Sequence, residues 1–248
     1  VGERVETGLD LDGILELAKS ATPLSITESR NAEKFVPVRI GVARDEAFSF
    51  YYAASLAELE AHGAEIVAFS PLHDEALPDV DGIIIGGGFP EMFAEALTAN
   101  LSMRASIHRA AEDGMPICAE CGGYMYLMQS LVDFIGTEHE MVGIFPVRAR
   151  MTEKLQMVGY VEAEQMADTI LGSAGLILHG HEFHFSVEET NDTAELVRPF
   201  MFTKLRNGAQ YVAGCIYKNV LGSYLHLHFA GCQAAAGYFV EACRRWGR

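Results

Sequence analysis

Short apolar runs alternate with amphipathic stretches of helical period over the first half of the chain, beginning near residue 36. The apolar runs predict buried strands at 38–43, 64–69, 81–85 and 115–118. The stretches between them predict helices at 50–62, 90–100 and 102–113. Strands and helices that alternate in this way predict an α/β fold with an open, mostly parallel sheet flanked by helices.

The second half has a less regular pattern. A helical segment is expected at 124–130 and a final helix at 230–246. Strand-like runs follow at 141–148, 157–164, 182–187, 211–216 and 220–225. The N-terminal residues differ from both halves, because a short helical stretch at 10–19 leads into a polar segment at 20–34. We therefore expect residues 1–36 to be the tail of a preceding domain plus a linker, and residues 37–248 to form one domain.

Charge and composition narrow the classes of function. Half of the 248 residues are apolar, as in globular proteins, and the formal net charge is −16. Such a charge, with no basic patch, argues against partners such as nucleic acid or an anionic membrane. No stretch has the length of a membrane span or the pattern of a signal peptide. Five cysteines in a long chain favour reduced thiols, so we expect a cytoplasmic location.

Cys121 lies in a segment that follows a predicted strand and precedes a predicted helix. The small residues Ala119 and Gly123 flank it, as a sharp turn requires if a nucleophile is to project above a sheet. A helix N-terminus next to the thiol favours the thiolate. Two other interpretations are a buried structural cysteine and a metal or redox pair with Cys118. No second cysteine pair with suitable spacing exists, so we expect no metal.

Gly86, Gly87 and Gly88 form a second cluster at the end of a predicted strand. Backbone N–H groups in a glycine-rich loop can approach a ligand closely, which suits an oxyanion hole. A phosphate-binding loop and a purely structural turn are the alternatives. The chain has no Gly-x-x-x-x-Gly-Lys motif, which weighs against the phosphate-binding loop.

Histidines are concentrated in the second half of the chain. A thiol nucleophile needs a base, and an imidazole titrates near neutral pH. His226 and His228 follow a predicted strand, and alternation places them on the same face if the strand continues. The pattern alone does not choose between them.

Five segments, in this order, resemble the glutaminase domain of the cobyrinic acid a,c-diamide synthase family, which has the class I glutamine amidotransferase-like (flavodoxin-like) fold. They read RDEAFSFYY at 44–52, GGGFPE at 86–91, AECGGYMYL at 119–127, GHEFHFS at 180–186 and GSYLHLHF at 222–229. The resemblance extends from about residue 36 to the C-terminus. It implies a glutamine-dependent ligase whose glutaminase half supplies ammonia for amidating the a and c carboxylates of cobyrinate.

The resemblance also implies roles for individual residues. Cys121 matches the nucleophile, and His226 matches the histidine that activates it. The segments that hold the oxyanion match Gly87, Gly88 and Gly122. Many class I members carry Glu two residues after the catalytic His, where this chain has His228. The third triad member is therefore open between Glu182, support from His228, and a Cys–His dyad.

Cofactors and partners follow from the same resemblance. No cofactor is expected within these residues, whereas ATP and Mg²⁺ are expected in a preceding domain that also binds the cobyrinate-type tetrapyrrole. Cobyric acid synthase and the hydrogenobyrinate and nickel-sirohydrochlorin diamide synthases are close alternatives. A cysteine hydrolase and a non-catalytic binding module of the same fold are two further classes. The oligomeric state stays open between a monomer and a homodimer.

Overall fold

The computed structural model describes residues 2–23, 37–190 and 196–247 and divides the chain into two compact units, Val1–Glu33 and Lys34–Arg248. The smaller unit contains helices α1 (Gly2–Gly8) and α2 (Leu11–Lys19). Helix α2 begins after Asp10, whose carboxylate accepts a hydrogen bond from the Gly13 N–H at 2.9 Å and so caps the helix. Residues 24–36, which include most of the predicted linker, lie outside the described residues.

The larger unit contains strands throughout its length. Its strands are β1 (Val38–Ala43), β2 (Phe48–Phe50), β3 (Ala64–Phe69), β4 (Gly82–Ile85), β5 (Gly87–Gly88), β6 (Ile117–Glu120), β7 (Met128–Val132), β8 (Glu138–Glu140), β9 (Phe145–Met151), β10 (Met157–Gln165), β11 (Ile177–His184), β12 (Ser186–Thr190), β13 (Phe200–Lys204), β14 (Gln210–Ala213), β15 (Cys215–Tyr217), β16 (Val220–Ser223) and β17 (His226–Leu227). Its helices are α3 (Ala53–Ala61), α4 (Ala94–Ala99), α5 (Leu101–Glu112), α6 (Gly122–Leu127) and α7 (Gln233–Trp246), with 3₁₀ turns at Pro90–Met92 and Phe229–Gly231.

A six-stranded sheet in the order β3-β1-β4-β6-β16-β15 forms the centre of this unit. All neighbouring strands are parallel except β15, which forms an antiparallel hairpin with β16 at one edge. Alternate residues of β4 belong to different hydrophobic clusters: Ile83 and Ile85 pack in one, and Ile84 packs in the other with residues of α7. Burial on both faces explains the continuous apolar runs. The prediction of a mostly parallel sheet flanked by helices is confirmed.

The second half of the chain forms further sheets that the sequence pattern did not predict. Strands β14-β13-β10-β11-β17 form an antiparallel sheet, and β12-β9-β7-β8 form a mixed one. In the first half of the chain, β2 pairs with β5. The predicted helix at 124–130 ends early, because residues from Met128 onward pair with β8 and β9. The predicted helix at 50–62 begins later, at Ala53, because Phe50 pairs with Gly87.

Across the three described ranges, the helices are too short or too polar to cross a membrane.

Candidate active site

Cys121 occupies a strained turn between β6 and α6. Its backbone has φ +49° and ψ −106°, a conformation that residues other than glycine rarely adopt. A strained backbone of this kind costs on the order of 1–3 kcal/mol and is found most often at functional sites. The Cys121 N–H continues the sheet by donating to Ser223 O at 2.8 Å. The sharp strand-to-helix turn predicted for this position is therefore present.

Close packing explains the two glycines that follow Cys121. A Cβ added at Gly123 would overlap the main-chain oxygen of Ile85, at the end of the neighbouring strand β4. A Cβ added at Gly122 would lie 3.0 Å from the Gly88 nitrogen. The glycine-rich loop thus packs directly against the start of helix α6.

We expect Gly123→Ala to destabilise the fold by about 1–3 kcal/mol, because the new Cβ would meet main-chain atoms that cannot rotate away. Gly231→Ala is a matched control, since its Cβ would contact His228 Nδ1 at an ordinary 3.5 Å. Urea unfolding of both variants measures the difference. Equal midpoints for the two variants would show that the loop relaxes around the added methyl group.

His226 lies at the edge of the antiparallel sheet and is 6 % exposed. It pairs with His181 across β11 and β17, and the two imidazole rings stack with centroids 4.8 Å apart. A Cβ added at Gly87 would lie 2.5 Å from His226 Cε1. Because Gly88 packs against Gly122 and Gly87 packs against His226, the glycine-rich loop brings the turn at Cys121 and the histidine together.

His228 has a different environment. Strand β17 ends at Leu227, so the alternation that would have placed His228 beside His226 stops there. His228 is half-buried, precedes the 3₁₀ turn Phe229–Gly231 and packs edge-on against Tyr52 at 4.9 Å.

Glu182 is 2 % exposed and engages two neighbours. Its carboxylate accepts a hydrogen bond from the Tyr211 hydroxyl and lies 3.8 Å from His184 Nε2. Alternation along β11 directs Glu182 to the face opposite His181, whose ring stacks on His226. Glu182 therefore points away from the His226 ring, although its charge raises the pKa of the Cys121 thiol.

Burial determines whether the Cys121 thiol and the His226 imidazole are charged. It raises the pKa of the Cys121 thiol to about 12, even though the Gly122 N–H at the helix start lowers it. Burial also lowers the pKa of His226 to about 4, and His181 and His184 add to this effect. The Gly122 N–H at the helix start favours the thiolate, but desolvation of the buried thiol outweighs this one N–H group. At pH 7 both side chains are neutral.

A cavity of about 360 Å³ opens beside His226. Its lining residues come from β2 and the loop after it and from β11 and β17: Ser49, Phe50, Tyr51, Tyr52, His181, Phe183 and His226. The Cys121 thiol is not among these lining residues, but its Sγ lies 3.6 Å from the main-chain oxygen of Phe183, which is one of them. This volume suits a ligand the size of an amino acid. The motifs at 44–52 and 180–186 contain most of this lining, but neither pattern showed which side chains face the cavity.

Cys118 does not face Cys121. Cys118 is packed in the hydrophobic cluster that includes α7, and Cys121 belongs to the cluster that includes helix α6. The two thiols lie on opposite sides of the sheet, which argues against a disulfide or a shared metal ion.

Comparison with known proteins identifies a family. The model of the CobB/CobQ-like glutamine amidotransferase domain matches residues 39–234. A cobyrinate a,c-diamide synthase from Listeria innocua is 43% identical over 233 residues, covering 92% of this chain and 50% of that protein. One from Dehalococcoides mccartyi is 44% identical over 253 residues, covering 96% of this chain and 52% of that protein. The chain thus spans about half the length of these relatives.

Solved structures show the same fold at low identity. The structure of PurLQS from Thermotoga maritima matches with a TM-score of 0.57 and 17% identity, covering 85% of this chain and 99% of that chain. A structure described as a glutamine amidotransferase matches with a TM-score of 0.52 and 16% identity, covering 83% of this chain and 98% of that chain. These similarities concern the fold alone.

Proposed function

The chain belongs to the CobB/CobQ-like glutamine amidotransferase domain family, and we propose that Cys121 and His226 hydrolyse glutamine to glutamate and ammonia. The observation that supports this proposal most directly is the convergence of three segments. The glycine-rich loop packs against Gly122 through Gly88 and against His226 through Gly87, and His226, at the start of β17, lines the cavity.

The first chemical step follows from the neutral state of both side chains. His226 takes the thiol proton as Cys121 Sγ attacks the side-chain amide carbon of glutamine, so that an S–C bond forms and the carbonyl oxygen becomes an oxyanion. The Gly122 N–H, which donates to the sulfur in this structure, together with the N–H groups of Gly87 and Gly88, would hold that oxygen. Losing one such donor typically costs about 10²–10³ in rate.

The remaining steps return the enzyme to its starting state. The C–N bond breaks, the leaving nitrogen takes the proton from His226, and ammonia departs from a thioester on Cys121. Water then attacks the thioester while His226 accepts its proton. Glutamate leaves, and the proton returns to the sulfur. Two-step transfer of this kind needs one base that serves both half-reactions, which fits a single buried imidazole.

We extend the proposal to the ammonia acceptor because the similar proteins are named cobyrinate a,c-diamide synthases. The ammonia would amidate the a and c carboxylates of a cobyrinate-type tetrapyrrole in the cytoplasm. Activation of those carboxylates would use ATP and Mg²⁺ bound in the half of the relatives that this chain does not span. Residues 1–36 would then be the end of that ATP-binding domain and its linker.

The proposal is tested with the purified 248-residue chain. We expect it to release glutamate from glutamine slowly at most, because the half that would bind the ammonia acceptor is not spanned by this chain. It should bind no Mg-ATP in a calorimetric titration, since it contains no phosphate-binding Lys-Ser/Thr loop. Glutamate formation is measured with glutamine and, separately, with asparagine and peptide amides. Faster turnover of those other amides would indicate a different cysteine hydrolase. Micromolar binding of Mg-ATP would place the nucleotide site within this chain.

A further inference from the structure

Glu120 joins the two strands that carry the proposed catalytic pair. It is the last residue of β6 and immediately precedes Cys121. Its Oε1 accepts a hydrogen bond from the N–H of Leu227 at 3.4 Å, and Leu227 immediately follows His226. Strands β6 and β17 belong to different sheets, so no ladder of main-chain hydrogen bonds fixes their spacing. The Glu120 carboxyl spans this gap.

A second side chain accepts a hydrogen bond from the main chain two residues after Leu227. The Phe229 N–H donates to Ser55 Oγ at 3.0 Å, and Ser55 lines a small pocket together with Glu120, Tyr52 and Leu227. Tyr51 also borders this pocket, but its hydroxyl is engaged by Ala43 O and by the Gly86 N–H. The main chain after His226 is thus attached to strand β6 by Glu120 and to helix α3 by Ser55.

Neither Glu182 nor His228, the two residues that the resemblance offers as support for the catalytic pair, occupies this position. Glu182 binds Tyr211 on the other face of β11, and the residue two positions after His226 is His228, which packs against Tyr52. We propose that Glu120 is a positioning residue: by holding the Leu227 amide against the end of β6, it sets the placement of the His226 imidazole relative to the Cys121 thiol. This inference rests on the proposed roles of Cys121 and His226.

Glu120 performs this task as a neutral acid near pH 7. Burial raises its pKa to about 8, although the Leu227 N–H lowers it. The titratable groups that face it are Tyr51 and Tyr52 from the loop after β2, and Cys118 and Cys121 from its own segment. No cation is among these groups. Below about pH 8 the carboxyl is uncharged, and above that pH it carries a negative charge, which is one of the causes that raise the pKa of the Cys121 thiol and which opposes the developing oxyanion.

The test compares Glu120→Gln and Glu120→Leu in the full chain. Gln keeps an oxygen that accepts from Leu227 but cannot ionise, whereas Leu removes the acceptor at similar volume. Glu164→Gln on the exposed part of β10 is the matched control. We measure kcat and KM for glutamine hydrolysis from about pH 6 to about pH 10, and circular dichroism confirms that each variant is folded.

At neutral pH, Glu120→Leu should lose about 10²-fold in kcat with little change in KM, because misplacement of a catalytic group by about 1 Å costs that much. Glu120→Gln should stay within about threefold of the unmodified chain and should lose the alkaline fall in kcat/KM. About one pH unit above the Glu120 pKa, it should therefore be about tenfold faster than the unmodified chain.

A Glu120→Leu variant with unchanged kcat, a Glu120→Gln variant as slow as Glu120→Leu, or an alkaline fall that persists in Glu120→Gln would each overturn the positioning role. A second measurement, the pH dependence of Cys121 alkylation by iodoacetamide, does not require turnover. Its midpoint should move to lower pH in Glu120→Gln, and an unmoved midpoint overturns the inference. If the unmodified chain does not hydrolyse glutamine, the proposed function is wrong. The alkylation experiment then still tests the effect of Glu120 on the Cys121 thiol.

Discussion

Replacing Cys121 with alanine is expected to abolish glutamine hydrolysis, with a fall in kcat of about 10⁴-fold or more, because the covalent intermediate can no longer form. The measurement is glutamate release over time by the purified variant. Intact-mass analysis after treatment with a diazoketone analogue of glutamine gives a second readout, since only a nucleophilic thiol in the glutamine site should be alkylated. The alanine variant should show no added mass.

Cys118→Ala is the matched control for this prediction. It also removes a sulfur atom, three residues before Cys121, but Cys118 packs on the other side of the sheet and is 4 % exposed. It should retain most of the activity and all of the labelling. Comparable losses in both variants would indicate a mechanism that uses the two cysteines as a pair. Full activity in Cys121→Ala would make the domain a hydrolase with another nucleophile.

Replacing His226 with alanine is expected to reduce kcat/KM by several orders of magnitude, about 10³-fold or more, because the base and the thiol act as a unit. His228→Ala should cost far less, since that ring lies outside β17 and packs against Tyr52. Both variants are compared by steady-state glutamine hydrolysis. A larger loss in His228→Ala would exchange the two roles.

The pH dependence of the unmodified chain provides a further check on His226. Its pKa is lowered to about 4, so the imidazole is neutral, and able to accept a proton, at all pH values above that. The acid limb of kcat/KM should therefore lie near pH 4 rather than near the ordinary histidine value of 6.5. The limb should disappear in His226→Ala and remain in His228→Ala. A limb near 6.5 in the unmodified chain would mean that His226 is more solvated than this structure shows.

Local patterns were sufficient for much of the fold. The strands at 38–43 and 64–69 have the bounds that their apolar runs predicted, although only the first is buried along most of its length and the second lies at the edge of the sheet, where it is largely half-buried. The turn at Cys121 was also apparent, since its small neighbours are required by contacts within a few residues and with the adjacent strand. Helix ends were less accurate where a strand pairing competed, as at Phe50 and Met128.

The sequence by itself determined the alternation of strands and helices, the sharp turn that carries Cys121 and the glycines that must approach it, because these depend on local backbone conformation and side-chain size. The tertiary structure alone decided the rest. It buried Cys121 and His226 so deeply that both are neutral. It ended β17 before His228, turned Glu182 towards Tyr211 and brought Glu120 to Leu227. Desolvation and strand register depend on contacts between residues that are far apart in the chain. Glu120 and Leu227, for example, are more than a hundred positions apart. A local pattern contains no information about such pairings.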